Sequence, residues 1–238
     1  MSGHSPAPGD AGDKATWAVI VAAGEGTRLG GGRPKAFAAL GGRPLLAESI
    51  ERLDRSGWID AVVVVAPVEW EEPTILLAEE LVASKVSTVV TGGATRAASV
   101  RLGLAEVPGE ALVVIVHDAA RPFVDDGILG RLLTRLAEGV DGAVPGLAVH
   151  DTLRRVTGGV AVETVARDGL VAVQTPQAFV ADRLRSAYAA AGDDATDCAA
   201  VVERAGGRIA VVDGDPLLLK VTTPKDLALA ERLVGRNA

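Results

Sequence analysis

The chain has 238 residues, 48% apolar and 23% charged, the make-up of a globular protein of one or two domains rather than a disordered chain. A net charge of −7 and 3% aromatic content exclude a general nucleic-acid binder, which needs a basic face or stacking platforms. One cysteine, Cys198, and three histidines exclude a disulfide framework, a four-cysteine zinc site and a histidine-rich metal centre. Residues 1–14 are rich in Ser, Pro, Gly and Asp and lack an apolar core, so they predict a disordered tail to about residue 15 rather than a secretory signal. The folded unit is then expected over residues 16–238. No apolar run approaches the roughly 18 residues of a membrane span. The cysteine count fits a reducing cytoplasm.

From residue 17 onward, short β-branched runs alternate with amphipathic stretches. Residues 17–23 read as a buried strand ending in a glycine-rich loop. Residues 44–56 read as a helix, with Pro44 in its first turn and Leu45, Leu46, Ile50 and Leu53 on one face. Strand-like runs follow at residues 61–66, 88–91 and 112–117, and helical ones at 73–83, 96–106 and 127–138. Between 142 and 174 the rhythm changes. Residues 144–149, 152–156 and 160–165 are short and strand-like, with Thr157-Gly158-Gly159 as a hairpin turn. This stretch predicts an antiparallel insertion, with a β-arm at about residues 146–169. Helices resume at 181–191 and 196–205, a strand follows at 208–212, and a last helix covers 224–234. The alternation predicts an α/β fold: a Rossmann-like, mostly parallel sheet with helices on both faces. Its ligand crevice should lie outside the carboxyl ends of the strands.

Four segments near those ends carry chemistry. The first contains Ala22, Ala23, Gly24, Gly26 and Arg28, then Arg33-Pro34-Lys35. Glycines let backbone N–H groups form an anion-binding nest. It is neither a Walker A loop nor a strict dinucleotide fingerprint. The bland alternative is a solvated glycine loop, but Arg28 and Lys35, one of five lysines in the chain, suit a triphosphate. The second is Thr91-Gly92-Gly93-Ala94-Thr95-Arg96-Ala97-Ala98-Ser99, whose amides and Ser99 hydroxyl could read a base edge or simply begin a helix. The third, His117-Asp118-Ala119-Ala120-Arg121-Pro122, places a carboxylate directly after a buried strand, for a metal, for a substrate, or as an Asp–Arg surface pair. The fourth puts Lys220 after an apolar run, as a phosphate ligand or a snorkelling edge lysine.

Residues 22–35, 92–99, 117–122, 151–154, 174–177, 196–197 and 220–222, in this order and spacing, closely resemble the 2-C-methyl-D-erythritol 4-phosphate cytidylyltransferases, and the likeness runs from residue 17 to about 234. The resemblance implies attack of the methylerythritol phosphate on the α-phosphorus of CTP, with release of pyrophosphate. It implies that Arg28, Lys35 and Lys220 stabilise charge on the triphosphate and the transition state. Ala22, Ala23, Gly24, Gly26, Gly92, Gly93 and Ser99 would hold the nucleotide. Asp118 would lie beside nucleotide and acceptor, and Arg121, Thr152, Arg167, Thr175 and Thr196 would line the acceptor site. One Mg²⁺ would be held mainly by the CTP phosphates, with Asp118 a possible ligand. A homodimer through the β-arm would place Thr152 and Arg167 in the partner's site.

The chain departs from the family pattern at Ala94 and Cys198, where acidic or polar residues are usual, and at His150. Cys198 is expected to be an inert thiol and His117 a hydrogen-bonded structural histidine. The acidic run 69–72 reads as a solvated helix start, and Trp17, Trp58 and Trp70 as packing residues. A close alternative keeps the chemistry but takes another polyol phosphate, such as ribitol 5-phosphate. A dinucleotide oxidoreductase would need an acid at the end of the second strand, where Ala66-Pro67 stands. A non-catalytic nucleotide sensor would be expected to lack one of Arg28, Lys35 or Lys220.

Overall fold

A computed structural model describes residues 15–24, 26, 32–192, 195 and 197–234. Arg28, Thr196 and the N-terminal residues read as a tail lie outside the described residues.

Strand β1 (Thr16–Val21) leads through the glycine loop to a short hairpin, β2 (Ala39–Leu40) and β3 (Arg43–Pro44), and into helix α1 (Leu45–Arg55). Then come β4 (Ala61–Ala66), α2 (Glu71–Glu80), β5 (Val86–Thr91), α3 (Arg96–Ala105), β6 (Val113–Asp118) and α4 (Asp126–Ala137). The second half holds β7 (Gly142–Ala148), β8 (Leu153–Thr157), β9 (Val160–Val165), β10 (Val171–Val173) and β11 (Gln177–Val180). It ends with α5 (Ala181–Ala190), α6 (Cys198–Arg204), β12 (Ile209–Asp213) and α7 (Pro224–Val234). Pro44 caps α1 rather than sitting inside its first turn.

The central sheet runs β5-β4-β1-β6-β11-β7-β12, with β10 continuing beyond β11 along the same edge of β7. Pairings β1–β4, β1–β6, β4–β5 and β7–β12 are parallel, while β11 is antiparallel to both of its neighbours. The sheet is therefore mostly parallel, as expected. Alternation within the strands divides the core cleanly. Ala18, Ile20, Val62, Val64 and Ile115 pack against Leu46, Ile50 and Leu53 of α1 and Ile128, Leu129 and Leu132 of α4. Val19, Val63, Val65, Val114 and Val116 pack on the other face against Val100 and Leu104 of α3, Leu184 of α5 and Val201 of α6. With both faces covered, β4 is buried at every position, which is why it reads as an unbroken apolar run. Each buried Leu, Ile or Val contributes about 1.5–3 kcal/mol by leaving water.

The expected insertion needs correction. β7 is a strand of the central sheet, held on one edge by β12 and on the other by β10 and β11. Only β8 and β9 form a separate antiparallel pair, over residues 153–165. The valines of this arm do not all share one face. Val160 and Val165, paired with Thr157 and Leu153, lie on one side of the pair, whereas Val156, paired with Ala161, lies on the other. The register shift opposite Arg155 and Val156 leaves Val162 as the extra residue of a bulge on β9.

Candidate active site

Because β1, β4, β5 and β6 are parallel, their carboxyl ends lie on one side of the sheet. There the loops are stitched together. The amide of Ala22 donates to Val65 O at 2.9 Å, that of Gly92 to Ala66 O at 2.8 Å, and that of Ala119 to Val21 O at 3.1 Å. Gly92 sits so close to the first loop that a Cβ there would lie 2.2 Å from Ala23 Cβ, so only glycine fits. A Cβ on Gly93 would lie 2.6 Å from Ala98 Cβ. Gly26, at φ +66°, would put a Cβ 2.3 Å from Lys35 Cβ, so Gly26 lies directly against the stem of Lys35.

Ser99 is buried, and its hydroxyl donates to Thr95 O at 2.9 Å while accepting from Gly93 N–H at 3.1 Å. It thereby fixes the turn that presents Gly92 and Gly93. Thr95 caps α3 by accepting from Ala98 N–H at 3.0 Å.

Asp118, the last residue of β6, is the centre of the polar cluster. Its side chain is 9% exposed. Oδ1 accepts from Arg96 Nε at 3.0 Å, with Arg96 Nη2 also at 3.0 Å in ion-pair but not hydrogen-bond geometry. Oδ2 accepts from Lys220 Nζ at 2.6 Å. Lys220 is brought there by a loop whose Val221 amide donates to Ala120 O at 2.8 Å, with Val221 buried beside Leu40, Leu45 and Phe123. Burial alone would push the Asp118 carboxyl up, but Arg96 and Lys220 outweigh it and hold it well below the usual carboxylate range. Asp118 is a carboxylate throughout the physiological range.

A hydrogen-bond chain backs this cluster. Arg121 O accepts from His117 Nε2 at 3.0 Å, and a carbonyl can only accept, so Nε2 carries the proton. Nδ1 is then the acceptor for the Thr175 hydroxyl, 3.5 Å away, and Thr175 Oγ1 in turn accepts from the Asp118 amide at 3.0 Å. Burial pulls the His117 pKa down to about 4. It is a neutral structural group, as expected. The Arg121 guanidinium is turned onto Leu218 O, and burial lowers its pKa against the opposing pull of Asp118.

The structure therefore brings together Ala22, Ala23, Gly92, Gly93 and Ser99, places Gly26 against Lys35, and joins Asp118 with Lys220, Arg121 and Thr175. Gly24 is exposed at the mouth of the first loop. It does not bring Thr152 and Arg167 into that cluster. They flank the base of the β8–β9 arm, both exposed. A groove of about 630 Å³ between α4 and β12, lined by Gly130, Arg131, Val211 and Asp213, contains none of the site residues.

Residues 16–236 match the family model described as 2-C-methyl-D-erythritol 4-phosphate cytidylyltransferase. A curated protein of that name from Nocardia farcinica is 46% identical over 95% of this chain and 96% of its own length. One from Saccharopolyspora erythraea is 47% identical over 92% and 98%. The chain belongs to this family. The crystal structure of a 2-C-methyl-D-erythritol 4-phosphate cytidylyltransferase from Thermus thermophilus superposes with a TM-score of 0.75 at 36% identity, covering 91% of this chain and 98% of that one. Membership in the cytidylyltransferase family makes this chain a nucleotidyltransferase enzyme with the α/β architecture described above.

For a cytidylyltransferase of this family, one site residue escapes a reading of the sequence. Arg96 lies inside the segment 91–99, yet its partners are far away in sequence: Asp118 on β6 and Cys198 Sγ, 3.5 Å from Nη1, on α6. Cys198 is fully buried, and burial pushes its thiol up, so it is a neutral group at neutral pH. Its other neighbour is Tyr188 Oη at 3.2 Å. This is the inert thiol expected. The one sequence-level signal for Arg96 is its place at the first helical position of α3, where the helix dipole disfavours a cation.

Proposed function

We propose that the protein transfers the cytidylyl group of CTP to 2-C-methyl-D-erythritol 4-phosphate, giving the 4-diphosphocytidyl product and pyrophosphate, at the carboxyl edge of the β6-β1-β4-β5 strands. Membership in the family carries the assignment. The observation of the structure that supports it best is a carboxylate, Asp118, held by two cations at the same strand edge from which the chain runs on to Gly26, packed on Lys35. Such a site suits polyanions, and among the described residues it offers no activated nucleophile. None is needed, because the acceptor's own phosphate oxygen attacks the α-phosphorus and the pyrophosphate leaves with the electron pair.

In this reading the Ala22–Ala23 and Gly92–Gly93 backbones receive the nucleotide, with Ser99 holding the second turn in shape. Lys35, Lys220 and Arg28 stabilise charge developing on the phosphates in the transition state. Arg121, Thr175 and Thr196 serve the acceptor beside Asp118, and Thr152 and Arg167 reach it from a partner subunit in a homodimer. A magnesium ion belongs to the proposal as well. Among the described residues no three His, Cys, Asp or Glu side chains gather to hold a metal. The Asp118 carboxylate is shared between two cations. This donor set fits an ion that arrives on the triphosphate and keeps most of its waters, with Asp118 beside it. Bound there, magnesium would neutralise charge on the phosphate oxygens. Among the described residues no helix is long and apolar enough to cross a membrane. A cytoplasmic location remains part of the proposal.

The test is an acceptor panel. Purified protein with CTP and Mg²⁺ should release pyrophosphate with 2-C-methyl-D-erythritol 4-phosphate and far less with ribitol 5-phosphate. Equal rates on the two would overturn the choice of acceptor, which the family description otherwise favours.

A further inference from the structure

A lysine paired at 2.6 Å with a carboxylate has much of its field cancelled. Lys220 is in that position, and its side chain is still 41% exposed at the mouth of the site. Taken alone, the Asp118–Lys220 pair is neutral and a poor anchor for a triphosphate. Arg96 changes the balance. It occupies the other oxygen of the same carboxylate, so one negative charge is shared between two positive ones. On its far side Arg96 meets a neutral thiol, Cys198, backed by the Tyr188 hydroxyl, and not a second carboxylate. Its charge is balanced by Asp118 alone among the acids of the cluster. Arg96 also stands at the start of a helix, where the dipole works against it. A residue that breaks a local rule while its Nε and Nη1 are engaged and its buried Nη2 lacks a hydrogen-bond partner points to a function for the arrangement.

We infer that Arg96 is a positioning residue: by taking up the Asp118 carboxylate it fixes the aspartate and leaves the Lys220 ammonium free in charge, though not in place, for the phosphates of CTP. The inference rests on the proposed nucleotide site and assigns it the device that keeps its field positive. Arg96 itself need touch neither substrate nor magnesium. Its side chain is 21% exposed and its guanidinium is taken up by Asp118 and Cys198.

CTP binding read by calorimetry, beside turnover and melting temperature, tests this. In Arg96→Gln the carboxylate is left to Lys220, and CTP affinity should fall roughly tenfold, the size of a coupling of about 1.4 kcal/mol. Adding Asp118→Asn removes the charge that Lys220 would otherwise be spent on, so the double variant should bind CTP more tightly than Arg96→Gln alone. A merely structural role for Arg96 predicts the reverse, since the second change removes a further buried contact. Arg96→Lys, which keeps the charge but loses the two-pronged geometry, should keep CTP affinity within about threefold while kcat falls roughly tenfold or more, as for a misplaced group. It also stands in if the glutamine variant fails to fold: a loss of CTP affinity in Arg96→Lys as large as its loss of kcat would then overturn the inference. Wild-type affinity in a folded Arg96→Gln, or a double variant no better than the single one, overturns it and leaves the cytidylyltransferase reading standing. Wild-type protein that binds no CTP would instead bring down that reading.

Discussion

Side chains at the carboxyl edge divide into those that face phosphate and those that hold the edge in shape. Lys35 belongs to the first group. Lys35→Ala should cost roughly 3–4 kcal/mol of transition-state stabilisation, the loss typical of one oxyanion donor, with little change in melting temperature. Steady-state kinetics beside a melting curve decide this, and near-normal kcat in folded variant would remove Lys35 from the mechanism. His117 belongs to the second group and gives the protein a pH dependence. Its folded pKa, about 4, lies below the ordinary value of about 6.5. Between those values the unfolded chain binds a proton that the folded chain refuses. The stability that His117 supplies is complete above pH 6.5 and is lost as pH falls towards 4, by roughly 3 kcal/mol. Urea midpoints at pH 7 and pH 5 should differ accordingly. A histidine Cε1–H resonance for His117 titrating near 6.5 in the folded protein would contradict it. That His117 is structural was legible from its place at the end of an apolar strand. The role of Arg96 was not, since Asp118 and Cys198 come to it only through the packing of β6 and α6 against α3. For Ser99, the sequence shows a hydroxyl near two glycines. Only the fold shows that it turns inward to staple them.

Among the elements, the alternating first half of the chain could be read almost directly, because β1, β4 and β6 are largely buried and nearly unbroken apolar runs and α1 and α4 carry one apolar stripe each. The second half could not. β7 contains Gly142, Pro145 and Gly146, poor strand formers, and its place in the sheet rests on β12, more than 60 residues later in sequence. β10 and β11 are short and owe their existence to the edges of β7 and β6. Non-local pairing of this kind leaves no period in the sequence. At the carboxyl edge the contact between two loops is the feature most sensitive to change. Gly92→Ala would drive a methyl into Ala23 and the Ser99 hydroxyl. The strain should cost about 1–3 kcal/mol of stability and, by parting the two loops, weaken CTP binding more than acceptor binding. Denaturant melts and separate KM values check both parts; an unchanged CTP KM would mean that the contact does not shape the nucleotide site.

At the scale of the molecule, Thr152 and Arg167 lie exposed at the base of the arm, apart from the Asp118 cluster. If the site is completed across a dimer, Arg167→Ala should raise the acceptor KM strongly and the CTP KM little, since arginine suits two-pronged phosphate contact. Mixing inactive Lys35→Ala and Arg167→Ala subunits should then restore activity, because one site of the mixed dimer keeps both residues. No recovery after confirmed subunit exchange would mean that the arm serves its own subunit. Chelation bears on the same scale. EDTA should abolish turnover and leave the melting temperature of the apo protein unchanged, because no described cluster forms a closed metal cage. The most direct test of the account is a single comparison: product formation from CTP, Mg²⁺ and 2-C-methyl-D-erythritol 4-phosphate, followed by phosphorus NMR, for wild type and for folded Lys220→Ala. The account predicts a diphosphocytidyl product and pyrophosphate in equal amounts from wild type, and a rate lower by roughly 100-fold or more in the variant. Wild type that forms no such product, or a variant that forms it at the same rate, would contradict it.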